Sequence, residues 1–311
     1  MFGTIDTENG IIKYINDGNS ISITEYSGRD LYVVIPSTID GLNVTVIKKK
    51  TFLSLRFVQK IYVPNTILSI DDYAFARCKN LETVYIPYKN IKIGQDILKD
   101  CKKLSYICDS SKYNFEDDLN AYNDVAFLLA KTLNELDAFF LFDLEGAGHK
   151  EWFEHLDATI SMRLLKDDME DFSKMILCGE EEVVCGDDGT IEDSNPDHYK
   201  SNRVKEKVRI AFLRLLHSDG LSLELKNTLD NYLLDHTKGC VTDETWQVVF
   251  YEHGDEQEYY DYLLDIKAIN DDNFQEIMSD MGNRHTEMKS YLIKRNEDSK
   301  QGNDLFSDFE L

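Results

Sequence analysis

Val58-Gln59-Lys60-Ile61-Tyr62-Val63-Pro64 and Leu81-Glu82-Thr83-Val84-Tyr85-Ile86-Pro87 are one phrase written twice, 23 residues apart. A third copy, Leu104-Ser105-Tyr106-Ile107-Cys108-Asp109, keeps the alternation and lacks the proline. The same interval links Ile47, Ile70 and Ile93, and also Phe52, Phe75 and Leu98. A fixed period of this length marks a solenoid, in which each repeat buries its apolar side against the next. Each phrase reads as a short strand that ends at proline, which cannot donate to a ladder. Ile70–Phe75 and Ile93–Leu98 supply the opposite wall. Cys78 and Cys101 stand where Leu55 stands one repeat earlier, so they read as buried thiols.

Working outward, Pro36 opens a longer first unit, in which Ile39-Asp40-Gly41-Leu42 adds residues before the period begins. Ile11–Ile15, Asn16–Asn19 and Ser20–Thr24 read as strand, turn and strand. This predicts a β-hairpin cap, since the end of a solenoid must be shielded from water. Composition changes near Ser110-Ser111-Lys112, which closes the expected repeat domain at 1–112.

Val34-Ile35-Pro36-Ser37-Thr38-Ile39-Asp40-Gly41, followed by the in-phase repeats, resembles the BspA-like leucine-rich-repeat proteins over residues 10–109. The resemblance implies a right-handed solenoid with short strands lining one face. Many relatives are bacterial surface proteins that bind host or neighbouring-cell proteins. This chain shows no leader segment at its start, so surface adhesion is not carried over, and the family has no catalytic residues to carry over. Helical tails also follow such repeats in gut Firmicutes proteins, a likeness of arrangement that implies no activity.

Strand alternation sends Val58, Ile61 and Val63 to the core, and Lys60 and Tyr62 outward. The same parity sends Thr83, Tyr85 and Tyr106 outward, with Cys108 at the end of its row. Lys60, Tyr62, Thr83, Tyr85 and Tyr106 are therefore the candidate partner-binding residues, with Tyr62 and Tyr85 side by side. The alternative is that the tyrosines shield the sheet or pack on the helical part of the chain.

The 311-residue chain carries a formal charge of −24, unevenly placed. Residues 1–112 hold 15 Lys/Arg and 12 Asp/Glu, whereas the rest hold 19 and 46. Such a break indicates two modules. Residues 113–298 read as an acidic all-α domain, for a fold class of α+β overall. Leu119, Val125, Leu128, Leu129 and Leu133 form a helical stripe within 118–133, and residues 136–144 are apolar enough to expect burial. Further helices are expected at 151–165, 168–177, 201–217, 222–236, 242–253, 255–267, 271–282 and 284–297, with a mobile acidic loop at 179–200. Trp246 and Phe274 lie 28 apart, and Tyr262 and Tyr291 lie 29 apart, which suggests helix pairs in an α-solenoid-like array. Residues 299–311 read as a frayed tail.

Few residues carry chemistry. Cys178, Cys185, His236 and Cys240 are a weak zinc set, because their spacing fits no usual ligand pattern. Gly186–Glu192 resembles a calcium loop but places Val184 where the first carboxylate belongs. No phosphate loop, nucleophile elbow or dinucleotide fingerprint occurs, so no cofactor is expected. Acidity disfavours nucleic acid, and no apolar run is long enough for a membrane helix. With Met1 as the natural start, a cytoplasmic location is expected. The reading is a non-enzymatic protein–protein interaction module using the repeat face or the acidic helical surface. An enzyme or effector site in the helical domain is the rival. The third reading is that the slightly basic repeat domain docks on the acidic helices of its own chain or, by self-association, of a second copy.

Overall fold

Each period folds into two short strands, one for each of two sheets. The computed structural model describes residues 1–112, 124–136, 138–170, 172 and 195–307. One sheet holds β4 (Tyr32–Val34), β7 (Lys60–Tyr62), β9 (Thr83–Ile86) and β11 (Tyr106–Asp109), all parallel. Its register keeps the sequence period: Ile61 faces Val84, and Val84 faces Ile107. The other sheet runs β1 (Phe2–Asp6), β2 (Gly10–Asn16), β3 (Ile21–Gly28), β6 (Leu42–Ile47), β8 (Ser69–Ile70) and β10 (Lys92–Ile93). The two-residue β5 (Thr38–Ile39) pairs with β6 beside that path. The result is a β-solenoid of repeats spaced near 23 residues, followed by a helical region of eight helices among the described residues.

The expected hairpin forms from β2 and β3, with Tyr14 opposite Ile23. Its turn holds because Asp17 Oδ1 accepts the amides of Asn19 and Ser20, both at 2.8 Å. Those backbone bonds hold its carboxyl below the usual range. Strand β1, which alternation had not revealed, adds to β2 antiparallel. From β3 onward every pairing along the stack, from β6 to β8 to β10, is parallel.

The repeat core is the row that the period marked. Phe52 and Phe75 stack with centroids 5.4 Å apart, and Tyr26 of the cap extends the stack to Phe52 at 5.6 Å. The Cys78 thiol donates to the Phe52 carbonyl at 3.0 Å, and Cys101 to that of Phe75 at 3.2 Å. These buried thiols fill core volume and satisfy a carbonyl of the preceding repeat. Beneath the cap, the buried Asp30 accepts from Thr7 Oγ1, from the Asn9 amide at 2.7 Å and from the Tyr26 hydroxyl at 2.8 Å. Burial alone would raise its pKa, but these donors outweigh burial and hold it below the usual range.

The chain divides into two compact units, Met1–Thr159 and Ile160–Leu311. The first also contains α1 (Asp124–Asn134), a 3-10 turn at Phe139–Leu141 and most of α2 (Lys150–Leu165). The expected burial of residues 136–144 holds for Leu136, Ala138, Leu141 and Leu144. It fails for Phe139 and Phe140, which are 50% and 71% exposed. The tight turn lets only one side of this apolar run face inward, where the Leu141 carbonyl accepts Trp152 Nε1 at 2.9 Å.

In the second unit, α3 (Pro196–Leu216) begins earlier than expected. Pro196, assigned above to the acidic loop, is instead the first helical residue, where its missing N–H costs nothing. Asn195 caps the helix by accepting the Asp197 amide at 2.9 Å. Residues 173–194, which hold the rest of that loop, lie outside the described residues, as does most of the helix expected at 168–177. The remaining helices are α4 (Leu223–Asp235), α5 (Glu244–Glu252), α6 (Gln257–Asp265), α7 (Phe274–Met281) and α8 (Thr286–Ser307). Helix α8 continues nine residues beyond 298, into the expected tail, through a segment without proline. Residues 308–311 lie outside the described residues.

Candidate functional site: the outward face of the repeat sheet

The register of the four-stranded sheet places its outward residues in two rows. One runs Tyr32, Lys60, Thr83, Tyr106, and the other runs Val34, Tyr62, Tyr85, Cys108. All five predicted residues fall in these rows. The rows do not share one environment. Tyr32 and Val34 at the β4 edge are 49% and 51% exposed, Lys60 and Tyr62 are half-buried, and Thr83, Tyr85 and Cys108 are fully buried.

The cover at the β11 end is α1. Ala126 packs into one buried cluster with Tyr85 and Cys108, with Tyr62 and Tyr106 at its margin. Phe127 meets Tyr106 edge-on at 5.6 Å, and Asn134 Nδ2 donates to the Leu104 carbonyl at 3.1 Å. Thr83 and Tyr85 are therefore not open to a partner in this structure, and Tyr106 is half covered. An amphipathic helix with Ala126, Leu129 and Ala130 inward takes the face that strand parity alone leaves open. Burial pushes the Cys108 thiol up to about 12, which makes it an unreactive core group.

The open part is held in shape. Lys60 Nζ lies 5.8 Å from the Tyr32 ring centroid. The Tyr62 hydroxyl donates to the Ser110 carbonyl at 3.1 Å, and Ser110 Oγ donates to Asn65 Oδ1 at 3.1 Å. Tyr32 and Val34 were missed as site residues because their unit is longer than the others. Aligning Pro36 with Pro64 and Pro87, and stepping back four and two residues, finds them.

A second feature lies at the last repeat. A groove of about 840 Å³ runs between residues 93–102 and the end of α1, with Phe139 and Phe142 on its far wall. Ile93 lines it and is half-buried, whereas its counterparts Ile47 and Ile70 are fully buried.

Of the weak zinc set, Cys178 and Cys185 lie outside the described residues. His236 stacks on Tyr232 with centroids 4.3 Å apart and donates from Nδ1 to the Tyr232 carbonyl at 2.8 Å. Cys240 is buried, and burial raises its thiol pKa to about 12. Among the described residues, no group of three His, Cys, Asp or Glu is placed to hold a metal. In the second unit, a depression of about 540 Å³ between Leu264 and Asp298 is lined by Asp, Asn, Lys, Arg and apolar side chains. Among the described residues, no helix is long and apolar enough to cross a membrane.

Among solved structures, the chain is similar to a leucine rich cell surface protein from Faecalibacterium prausnitzii, at 24% identity over 33% of this chain and 29% of that one, with a TM-score of 0.29. It is also similar to a T. pallidum leucine rich repeat protein, at 26% identity over 34% of this chain and 49% of that one, with a TM-score of 0.30. A leucine-rich repeat protein from Bacteroides capillosus is 26% identical over 33% of this chain and 78% of that one, with a TM-score of 0.29. The chain thus covers less than a third of the first and under half of the second. No curated protein matches it. The family model that matches is the BspA type leucine rich repeat region, found in six copies over residues 33–137. This match covers about a third of the chain and stops short of α2.

Proposed function

We propose that this chain is a protein-binding module that engages its partner through the uncovered half of the four-stranded sheet, at Tyr32, Val34, Lys60 and Tyr62. Leucine-rich repeats generally mediate protein–protein interaction, and the finer assignment rests on one observation. Exposure falls along both outward rows from the β4 edge to the buried Thr83 and Tyr85, leaving one continuous aromatic and cationic patch on β4 and β7. Tyrosine with a cation held over its ring supplies large contact area with little side-chain entropy to lose. Thr83, Tyr85 and Tyr106 act behind this patch as its support.

The test is capture of partners from the source lysate by the full chain and by two variants. Tyr32→Ala with Lys60→Glu should abolish retention of any specific partner. Leu68→Ala, at an exposed residue just before β8 of the other sheet, should leave it intact. Equal retention by both variants would end the assignment of this face.

A further inference from the structure

We infer that the groove at the last repeat is a docking site for a peptide segment of a partner protein, which adds to the stack as the next repeat would. The inference rests on the reading of the chain as a protein-binding module and assigns a second site to it.

The backbone carries the argument. In the repeats before the last, three alternate amides donate to carbonyls of the following repeat. Lys50, Phe52 and Ser54 donate to Asp72, Ala74 and Ala76 at 3.2, 2.8 and 2.9 Å. Tyr73, Phe75 and Arg77 donate to Gln95, Ile97 and Lys99 at 3.0, 2.9 and 2.7 Å. The equivalent donors of the last repeat are Asp96, Leu98 and Asp100, and no protein group accepts from them among the described residues. The backbone is the same in each case: Lys50, Tyr73 and Asp96 have φ of 62°, 56° and 50°, and Ser54, Arg77 and Asp100 have 60°, 61° and 60°. Acceptors repeat likewise. The carbonyls of Thr45 and Ile47 accept from Leu68 and Asp71, and those of Leu68 and Ile70 accept from Lys92 and Gly94. Their successors, Ile91 and Ile93, accept from none of the described residues.

The three amides and the Ile93 carbonyl, in the register of an established repeat-to-repeat contact, thus border one open groove. Leu98 is buried, Asp96 and Ile93 are half-buried and Asp100 is exposed; a row of unpaired backbone groups at the edge of a stack is a template for another chain. The occupant follows from the register. It offers three carbonyls at alternate residues and a central apolar pair, as Ile97-Leu98 does toward Phe75. Half-exposed Phe139 on the opposite wall gives that pair an apolar lid.

The experiment uses the full chain, isotope-labelled for amide exchange, and a synthetic peptide with the sequence of residues 91–102 and Cys101→Ser. In the free chain, the Asp96, Leu98 and Asp100 amides should exchange at least about tenfold faster than Tyr73, Phe75 and Arg77. The peptide, at about 1 mM, should slow those three by about tenfold and leave the others unchanged, whereas a scrambled peptide should not. Phe139→Ser should weaken the peptide's effect while Tyr73, Phe75 and Arg77 stay protected, which shows that the fold persists. Free-chain protection equal to that of the earlier repeats, or no response to the peptide, overturns the inference. Protection that rises with chain concentration as a dimer forms also overturns it, by giving the groove to a second copy. Because the sheet-face variants Tyr32→Ala and Lys60→Glu are read by capture, either assignment can fail while the other stands.

Discussion

Tyr62 and Tyr85 stand on neighbouring parallel strands with ring centroids 5.8 Å apart, yet Tyr85 is fully buried and Tyr62 is only half-buried. They hold equivalent places in successive repeats and differ in what covers them. Ala126 of α1 closes over Tyr85 and Cys108, and its cover thins toward Tyr62. Tyr85→Ala should therefore cost about 3–5 kcal/mol, the range for emptying a large aromatic site. Tyr62→Ala should cost about 1 kcal/mol, the usual loss at a partly exposed site. Urea unfolding of the two variants checks this, and equal costs would contradict the role given to α1.

Thr83 lies under the same cover, and its hydroxyl has no hydrogen-bond partner among the described residues. Thr83→Val keeps the shape and removes the buried polar atom. Stability should rise by about 1 kcal/mol. A loss of stability on calorimetry would show that the hydroxyl is satisfied in solution.

Asp30 predicts an acid-sensitive cap. Its folded pKa lies below its unfolded value of about 3.9. Its contribution is then fully present above that unfolded value and is lost as pH falls through the folded one. Stability measured from pH 6 down to pH 2 should fall more steeply for the native chain than for Asp30→Asn. That variant should itself cost about 1–3 kcal/mol at pH 7, because the Thr7, Asn9 and Tyr26 donors lose their carboxylate. Parallel pH profiles would remove Asp30 from this role.

Gly94 is a contact point between repeats. A Cβ built there would lie 2.5 Å from the Asp72 backbone nitrogen and 2.7 Å from the Asp71 carbonyl carbon. Both are main-chain atoms, which cannot swing aside. Gly94→Ala should cost about 1–3 kcal/mol and speed amide exchange at Gly94, which donates to the Ile70 carbonyl at 2.7 Å. An unchanged midpoint would mean that the stack yields there easily.

In the helical unit, Tyr262 donates to Asp230 at 2.6 Å and Tyr291 donates to Asp261. The two tyrosines are 29 residues apart and each reaches an aspartate on an earlier helix. Tyr262→Phe and Tyr291→Phe should each cost about 1.5–3 kcal/mol, as for hydrogen bonds to a charged group. Thermal unfolding of the two variants checks whether they weaken the unit to a similar degree.

Local, periodic features were legible before the structure. The solenoid, its hairpin cap and the placement of most helices follow from spacing that a one-dimensional string displays directly. So does the membership of the outward rows, since strand parity is a property of adjacent residues. Three things were not legible. Strand β1 carries weak alternation, Phe2-Gly3-Thr4-Ile5-Asp6, and pairs only because β2 offers it an edge. Pro196 reads equally as loop or as first helical residue, and Asn195 decides between them by its capping bond. Phe139 and Phe140 belong to an apolar run whose tight turn leaves them outside.

By itself, the sequence determined which side chains share a repeat, which of them point away from the core and where the period begins. These are consequences of backbone geometry repeated every 23 residues. Only the tertiary structure decided which outward residues remain open. Whether Tyr85 is a surface or a core residue depends on a helix that begins 39 residues later in the chain, and its identity as tyrosine is compatible with both. The last repeat shows the same physics. Asp96 and Asp100 adopt the same left-handed φ as Tyr73 and Arg77, but pairing depends on what lies beyond them in space.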